Sequence, residues 1–191
     1  MTFVHLKPTD YVTSTWSGGT TTQVGIAPAG AVYADRTFLW RISSATVDLD
    51  VSDFTALPDY DRLIATLEGE IDVTHNDGPV IHLAPYHVHS FDGGWNTRSV
   101  GRCTDFNLMT RKAQCRGELD ALIVTAETPA DVVLQKATDA VVYCAEGSVA
   151  VQLQDQTIQL QAAESVMLHD VEEAQLSITG CGKLMVAKTY Y

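Results

Sequence analysis

Five polar side chains in the N-terminal half of the sequence have the types and the spacing of an anion-binding site. Arg41 and Ser43 stand two residues apart in one apolar segment, and Asp105 and Asn107 do the same in another. Residues two apart lie on the same face of a β-strand, so each pair would project together. Arg62 opens a third segment of this kind. The pattern predicts that the five side chains converge inside one barrel.

The chemistry of these side chains favours a small carboxylate as the ligand. Guanidinium groups bind carboxylates through paired, charge-assisted hydrogen bonds, and an amide and a hydroxyl add neutral ones. A buried arginine without an anion is costly, so Asp105 is the expected internal partner of at least one arginine. Two simpler interpretations stay open: the polar faces are solvated, or the charges pair only to organise the sheet.

Metal binding by His87 and His89 is a second candidate chemistry. On a strand, both imidazoles would point to one face. A metal site needs three or four converging donors, but Ser90–Gly94 contains no glutamate and Asp105–Met109 contains no histidine. We therefore predict no metal and no other cofactor. A metal-dependent enzyme, such as an isomerase or dioxygenase that uses the two histidines, is kept as the alternative.

Signals for other kinds of catalysis are weak. The sequence has no G-x-S-x-G motif, and Gly18-Gly19 is not followed by the Lys-Ser/Thr of a phosphate-binding loop. No catalytic residue is predicted, and the chain is not expected to be an enzyme.

The elements that carry the polar residues are predicted to be antiparallel β-strands. Apolar residues recur with a period of two, for example in 149–153 and 158–162, and turn residues such as Asn76–Pro79 separate the segments. Convincing helical segments are few.

The sequence also carries an internal repeat. Leu67–Val73 resembles Cys144–Val151 around a shared Glu-Gly pair, and Phe106–Lys112 resembles Gly182–Lys188 more loosely. Two similar β-units are therefore expected, each closed as a barrel or jelly roll whose lumen takes alternate side chains.

Composition and charge exclude several classes of protein. The chain has 191 residues, of which 46% are hydrophobic and 19% charged, as in ordinary globular proteins. Lys and Arg number 12 and Asp and Glu 24, giving a net charge of −12 that disfavours nucleic-acid and anionic-membrane partners. No signal peptide or long apolar span is visible, and the four cysteines lack C-x-x-C spacing. A cytoplasmic protein with reduced thiols is expected.

The segments that hold the polar residues also carry a family resemblance. The chain resembles the HutD/Ves family of bicupin proteins through six motifs in order, W-S-G-G-T-T-T, F-L-W-R-I-S-S-A-T-V, D-F-T-A-L-P-D-Y-D-R, L-E-G, F-D-G and D-F-N-L-M-T-R-K. Together the motifs span Trp16 to Lys112. The family usually has Asn-Gly-Gly-Gly where this chain has Ser17-Gly18-Gly19-Thr20, and Gly-Pro where it has Ser52-Asp53.

The resemblance implies an all-β fold of two cupin-like, RmlC-type antiparallel β-barrels, a bicupin. Residues 1–113 would form the barrel with the ligand pocket, and residues 114–191 a smaller structural barrel. The resemblance also implies a metal-free accessory or regulatory protein of histidine utilisation that binds an intermediate such as urocanate or formylglutamate. The motif residues coincide with the polar set, Arg41, Ser43, Arg62, Asp105 and Asn107.

A third hypothesis is an interaction protein whose pockets no longer bind anything. Five glutamines between Gln152 and Gln161 follow one hairpin of the second half and offer little chemistry. That half would then support the first half or form the face of a homodimer.

Overall fold

The structure, a computed structural model, describes residues 1–171 and 173–191, and nearly all of its regular structure is β-strand. Within these residues there are two 3-10 helices, Pro8–Asp10 and Tyr33–Asp35, and neither they nor any other described helix could cross a membrane. The strands, numbered β1 to β17 in chain order, are Thr2–Leu6, Val12–Trp16, Gly19–Ala27, Trp40–Val47, Val51–Asp53, Tyr60–Glu68, Ile71–His75, Val80–Leu83, His89–Asp92, Thr97–Val100, Cys103–Arg111, Arg116–Val124, Ala130–Gln135, Asp139–Leu153, Gln156–Gln161, Ser165–His169 and Glu173–Tyr190. The predicted all-β class is confirmed.

The chain divides into two compact units. One unit is Val12–Arg116, and the other combines Met1–Tyr11 with Gly117–Tyr191. The predicted division at residues 113 and 114 had placed the first residues in the N-terminal barrel. The structure places them in the C-terminal unit because β1 pairs with β16 along its whole length, from Thr2 opposite His169 to Leu6 opposite Ser165.

The N-terminal unit is built from two antiparallel sheets. One sheet has the strand order β2-β3-β4-β11-β6-β9, and the other has the order β5-β10-β7-β8. Their inner faces share one apolar cluster, to which the first sheet contributes Ile64 and Phe91 and the second Val73 and Leu83. The alternation of side chains along β4, β6 and β11 therefore decides which residues point into this interior.

The C-terminal unit is a seven-stranded sheet in the described residues, with the central order β1-β16-β14-β17-β12 and with β13 and β15 on β17 and β14. Its interior is a larger apolar cluster that includes Val142, Leu160, Leu168, Ile178 and Leu184, each at most 1% exposed. No disulfide joins the cysteines of the described residues in either unit.

The internal repeat is visible as matching glycines in the two units. Gly69 and Gly147 both have positive φ, at 77° and 86°, and a Cβ on either would collide with a backbone carbonyl, that of Arg102 or of Cys181. Only glycine combines this backbone conformation with this close approach at no steric cost. The Glu-Gly pairs of the sequence therefore mark equivalent positions.

The weaker part of the predicted repeat was wrong in register. Thr66 pairs with Asp105 in the N-terminal unit, and its equivalent Cys144 pairs with Leu184 in the C-terminal unit. Asp105 therefore corresponds to Leu184, whereas the sequence comparison had set it opposite Cys181. That alignment had matched Leu108-Met109 with Leu184-Met185. The structural alignment differs from it by an odd number of residues, so the matched side chains lie on opposite faces of their sheets.

Candidate functional site

A cavity of about 400 Å³ lies in the N-terminal unit, and all five predicted site residues line it. The lining residues come from β2–β6, β11 and the segments beside them: Ser14, Trp16, Thr21, Tyr33, Arg41, Ser43, Ala45, Val47, Ser52, Asp53, Phe54, Thr55, Arg62, Asp105, Asn107 and Met109. The predicted convergence of the five side chains is thus found in the structure. Whether they bind a ligand stays a prediction.

The register of three neighbouring strands brings the polar residues together. On β11, Met109 lies opposite Arg41 of β4 on one side and Arg62 of β6 on the other. One row further along, Asn107 lies opposite Ser43. Because residues two apart share a face, the two arginines flank one end of the polar patch and the amide and hydroxyl form its centre.

The row beyond Asn107 holds Asp105, opposite Ala45 on β4 and Thr66 on β6. The pairing of β11 with β6 shifts register between Thr104 and Asp105. The extra residue is Leu67 of β6, and the pairing of β14 with β17 has the same irregularity between Cys144 and Glu146, so the bulge belongs to the fold that the two units share.

Arg41 is held by three contacts at one end of the cavity. Its Nε donates to Gln23 Oε1 at 2.9 Å, and its Nη1 donates to Ser43 Oγ at 3.0 Å. Its guanidinium carbon lies 4.3 Å from the centre of the Tyr33 ring. Burial is the main cause that lowers the pKa of Arg41 below its usual value.

Arg62 is more deeply buried and less satisfied. It is 6% exposed, and its Nε has no hydrogen-bond partner. Its guanidinium carbon lies 5.0 Å from the ring centre of Phe54 and 5.2 Å from that of Phe91, within cation–π range. Burial lowers the pKa of Arg62 to about 10, against the raising effect of Asp105. The guanidinium therefore stays charged at neutral pH.

The predicted pairing of Asp105 with an arginine is not found among the described residues. Neither Arg41 nor Arg62 forms an ion pair or a hydrogen bond with it among the described residues. A backbone hydrogen bond from Ala45 supports the carboxylate, but burial outweighs that bond and the nearby arginines, and it raises the pKa of Asp105 to about 7. The three charges thus share the cavity without neutralising one another by direct contact.

Two neutral polar atoms in the cavity lining also lack partners. Asn107 is 3% exposed and its Oδ1 accepts no hydrogen bond, and Ser52 is 9% exposed and its Oγ is unpartnered. Buried polar atoms are nearly always satisfied in folded proteins. Three residues of the cavity lining therefore carry a buried polar atom without a partner: the Nε of Arg62, the Oδ1 of Asn107 and the Oγ of Ser52.

Sequence reasoning missed several residues of this site. Ser52 and Phe54 lie on and after the short strand β5, and Tyr33 lies in a 3-10 helix. Gln23 supports Arg41 from β3. The motif D-F-T-A-L-P contained a signal for Phe54, because it places an aromatic side chain outside any alternating strand pattern. Tyr33 gave no such signal, because its segment has no periodicity.

The predicted arrangement of the two histidines was wrong. His87 lies before β9, after a turn in which Tyr86 has φ of 64°, so His87 and His89 do not share a strand face. His89 instead meets His75, with 2.8 Å between the two Nε2 atoms. No group of three or more His, Cys, Asp or Glu side chains in the described residues is placed to hold a metal ion.

The fold and the cavity together define a cupin-type β-protein with a polar, arginine-lined pocket in one of its two β-units. The family model for HutD matches residues 8–186 of the chain. The chain belongs to the HutD family, as the resemblance implied. No curated protein sequence matches it.

Solved structures support the same fold. A conserved protein of unknown function from Pseudomonas aeruginosa PAO1 has 22% identity and a TM-score of 0.89, with 100% of both chains covered. HutD from Pseudomonas fluorescens SBW25 has 19% identity and a TM-score of 0.81, with 99% of this chain and 98% of that one covered. The bacterial pirin YhhW from Escherichia coli, solved with nickel(II), has 8% identity and a TM-score of 0.68, with 98% of both chains covered. The predicted cupin fold is therefore confirmed.

Proposed function

We propose that this HutD-family protein binds a small carboxylate in the cavity of its N-terminal unit and acts as a metal-free accessory or regulatory protein. The observation that carries the proposal is Arg62, a buried cation in the cavity lining whose Nε has no hydrogen-bond acceptor in the protein. Leaving such a donor unsatisfied costs about 1–3 kcal/mol. A carboxylate is the group that best removes this cost, because it accepts charge-assisted hydrogen bonds from a guanidinium.

The cavity also indicates what else the ligand carries. Asn107 Oδ1 needs a donor, so the ligand should present an N–H or O–H group besides its carboxylate. Phe54 and Met109 add apolar surface to the lining. The volume of about 400 Å³ lies within the range of small-molecule sites, roughly 300–1,000 Å³.

Two acids suggested by the family resemblance meet these requirements. Urocanate has one carboxylate and an imidazole N–H, and N-formyl-L-glutamate has two carboxylates and a formamide N–H. Both are intermediates of histidine breakdown, which is the setting that the proposal gives to the protein. With a net charge of −12, the molecule as a whole repels anions, so its selectivity for an acid would come from the local arginines.

Isothermal titration with acetate, glutarate, urocanate and N-formyl-L-glutamate tests the proposal. We expect urocanate or N-formyl-L-glutamate to bind, glutarate, which has no N–H donor, to bind more weakly, and acetate, which has no second polar group either, to bind weakest. Arg62→Met removes the charge while keeping much of the side-chain volume, and it should weaken binding roughly 100-fold, about 3 kcal/mol.

The matched control is Arg98→Met, which alters an exposed arginine on β10 of the same unit. It should bind like the wild type. The proposal fails if no acid of the panel binds the wild-type protein, or if Arg98→Met loses as much affinity as Arg62→Met.

A further inference from the structure

We propose that Asp105 sets the charge state in which the cavity accepts a ligand: a carboxylate enters together with one proton, and Asp105 takes up that proton. The inference rests on the proposed function, because it concerns the same cavity. The inference assigns to Asp105 the control of how strongly an anion is bound at a given pH. Two arginines alone would not give binding this pH dependence.

The position of Asp105 carries the argument. The residue lies on β11 between the two strands that carry Arg41 and Arg62, lines the same cavity, and is 7% exposed. It forms no ion pair with either arginine among the described residues. A ligand carboxylate that binds the arginines would therefore place a second negative charge beside a carboxylate that has little solvent and no direct cationic partner.

Two carboxylates that share one small site do not both stay ionised, since each raises the pKa of the other. The ligand would keep its charge, because it gains charge-assisted hydrogen bonds from the guanidiniums. Asp105 has the attraction of Arg62 and Arg41, neither of which it contacts, and a single backbone hydrogen bond from Ala45 to favour its ionised form, and burial outweighs them. Asp105 is therefore the carboxyl group that becomes protonated.

Among the charged and titratable groups around the cavity, Asp105 is the one that we expect to change its protonation near neutral pH. Arg41 lies beside it on β4 and Arg62 on β6, and Asp53 of β5 and Tyr33 of the second 3-10 helix line the same cavity. Both arginines stay cationic at neutral pH, and Asp53 is exposed to solvent at the cavity. The charge change must therefore come from Asp105 itself.

Two further groups lie close to this set. Cys103 precedes Asp105 on the same face of β11, and burial raises its pKa to about 12, so the thiol stays protonated. His75 on β7 is influenced by Arg62, and burial, His89 and Arg62 all lower its pKa, so the imidazole stays neutral above pH 7. Burial raises the pKa of Asp105 to about 7, so this carboxyl can change its charge near neutrality.

The proton balance is simple. One proton from the buffer joins the ionised Asp105 carboxylate as the ligand carboxylate binds, and no covalent bond is made or broken. The number of protons taken up equals the slope with which the logarithm of affinity falls as pH rises. Affinity should therefore fall by up to about tenfold per pH unit above pH 7, and it should level off on the acid side, where Asp105 already holds its proton.

Isothermal titration of the four acids in phosphate and in ACES, two buffers that both work between about pH 6 and pH 8 and whose ionisation enthalpies differ, counts the protons directly. At about pH 8 the wild type should take up close to one proton for each acid bound, and at about pH 6 close to none. Asp105→Asn, which mimics the protonated carboxyl, should bind without proton uptake and with an affinity that is the same at both pH values.

The control is Asp61→Asn, which removes an exposed carboxylate of β6 outside the cavity lining and should keep the wild-type proton count. Binding by the wild type without proton uptake at about pH 8 would overturn the inference while leaving the proposed function intact. So would an unchanged proton count in Asp105→Asn. If no acid releases or absorbs heat in either buffer at either pH, both the proposed function and this inference fail. The wild-type count decides the matter even if Asp105→Asn does not fold.

Discussion

The two β-units place opposite chemistry at equivalent positions of the same strand pair. The pairing of β6 with β11 and of β14 with β17 has the same register around the matched glycines. The equivalent pairs, N-terminal residue first, are Arg62 and Ala140, Thr66 and Cys144, Asp105 and Leu184, and Asn107 and Val186. All four C-terminal residues belong to the apolar core of their unit and are at most 1% exposed.

The difference indicates that the polar residues are not required by the fold. An apolar interior at these positions satisfies the C-terminal unit, and replacing buried charges by hydrophobic residues is often neutral or stabilising, by about 1–4 kcal/mol. The N-terminal unit instead keeps a charged, partly unsatisfied interior and a cavity. Buried groups of this kind that do not stabilise a protein are the usual mark of a binding site.

The largest effect is expected when a buried charge is introduced into the apolar C-terminal unit. Leu184→Asp puts at the equivalent position the residue that β11 carries, but in a core without arginines. Loss of the leucine contacts and burial of an unpaired carboxyl should lower the free energy of unfolding by about 5 kcal/mol. Urea denaturation measures the loss, with Leu184→Met as the size-conserving control, which should cost less than about 1.5 kcal/mol. A mild effect of Leu184→Asp would mean that both interiors tolerate charge.

A second test uses the pH dependence of stability. Because the folded-state pKa of Asp105 is raised to about 7, the folded protein binds a proton that the unfolded chain has released between about pH 4 and pH 7. This contribution to stability is therefore lost as pH rises through that window. Asp105→Asn has no such pH dependence and should be about as stable as the wild type near pH 4, and more stable by roughly 4 kcal/mol at pH 8.

The measurement is urea unfolding of both proteins across that pH range, without any acid ligand. The difference between the two curves isolates Asp105 from the other carboxyl groups, with Asp53→Asn as the exposed control. A difference that stays constant with pH would show that folding does not raise the pKa of Asp105, and it would remove the contrast between the two interiors at this position.

The smallest expected effect concerns the glycines that align the units. Gly69→Ala and Gly147→Ala should each lower the free energy of unfolding by roughly 2 kcal/mol, because both combine positive φ with a nearby carbonyl. Gly30 also has positive φ, at 83°, but a Cβ there would meet no atom within 4 Å, so Gly30→Ala should cost only about 1 kcal/mol. Thermal unfolding measures the three variants. Unequal costs at Gly69 and Gly147 would weaken the structural equivalence of the repeats.

Much of the fold and the core of the site could be predicted because both depend on a period of two. The alternation along β4 and β11 fixes which residues share a face, so Arg41 with Ser43 and Asp105 with Asn107 could be paired from the sequence alone. The addition of Arg62 needed the family motifs, since one residue at the start of a strand does not by itself reveal its face.

Other features lay beyond sequence reasoning because they depend on long-range pairing. Nothing in residues 1–11 indicates that β1 pairs with β16, far along the chain. The turn before β9, closed by a hydrogen bond from His87 N to Ala84 O, is different, because Pro85 marks its second position and sequence reasoning overlooked that signal. The missing arginine–aspartate contact depends on side-chain directions inside the cavity, which spacing along a strand does not specify.

The pairing of β1 with β16 has a consequence for how the chain can be altered. Met1–Tyr11 belongs to the same unit as Gly117–Tyr191. In the sequence, the N-terminal unit is therefore inserted between the first strand of the C-terminal unit and the remaining strands of that unit. Fusions at either terminus are thus attached to the unit with the apolar core. A fragment meant to isolate the pocket would start near Val12 and stop near Arg116, and a fragment starting at Gly117 would expose the edge of β16 that β1 covers.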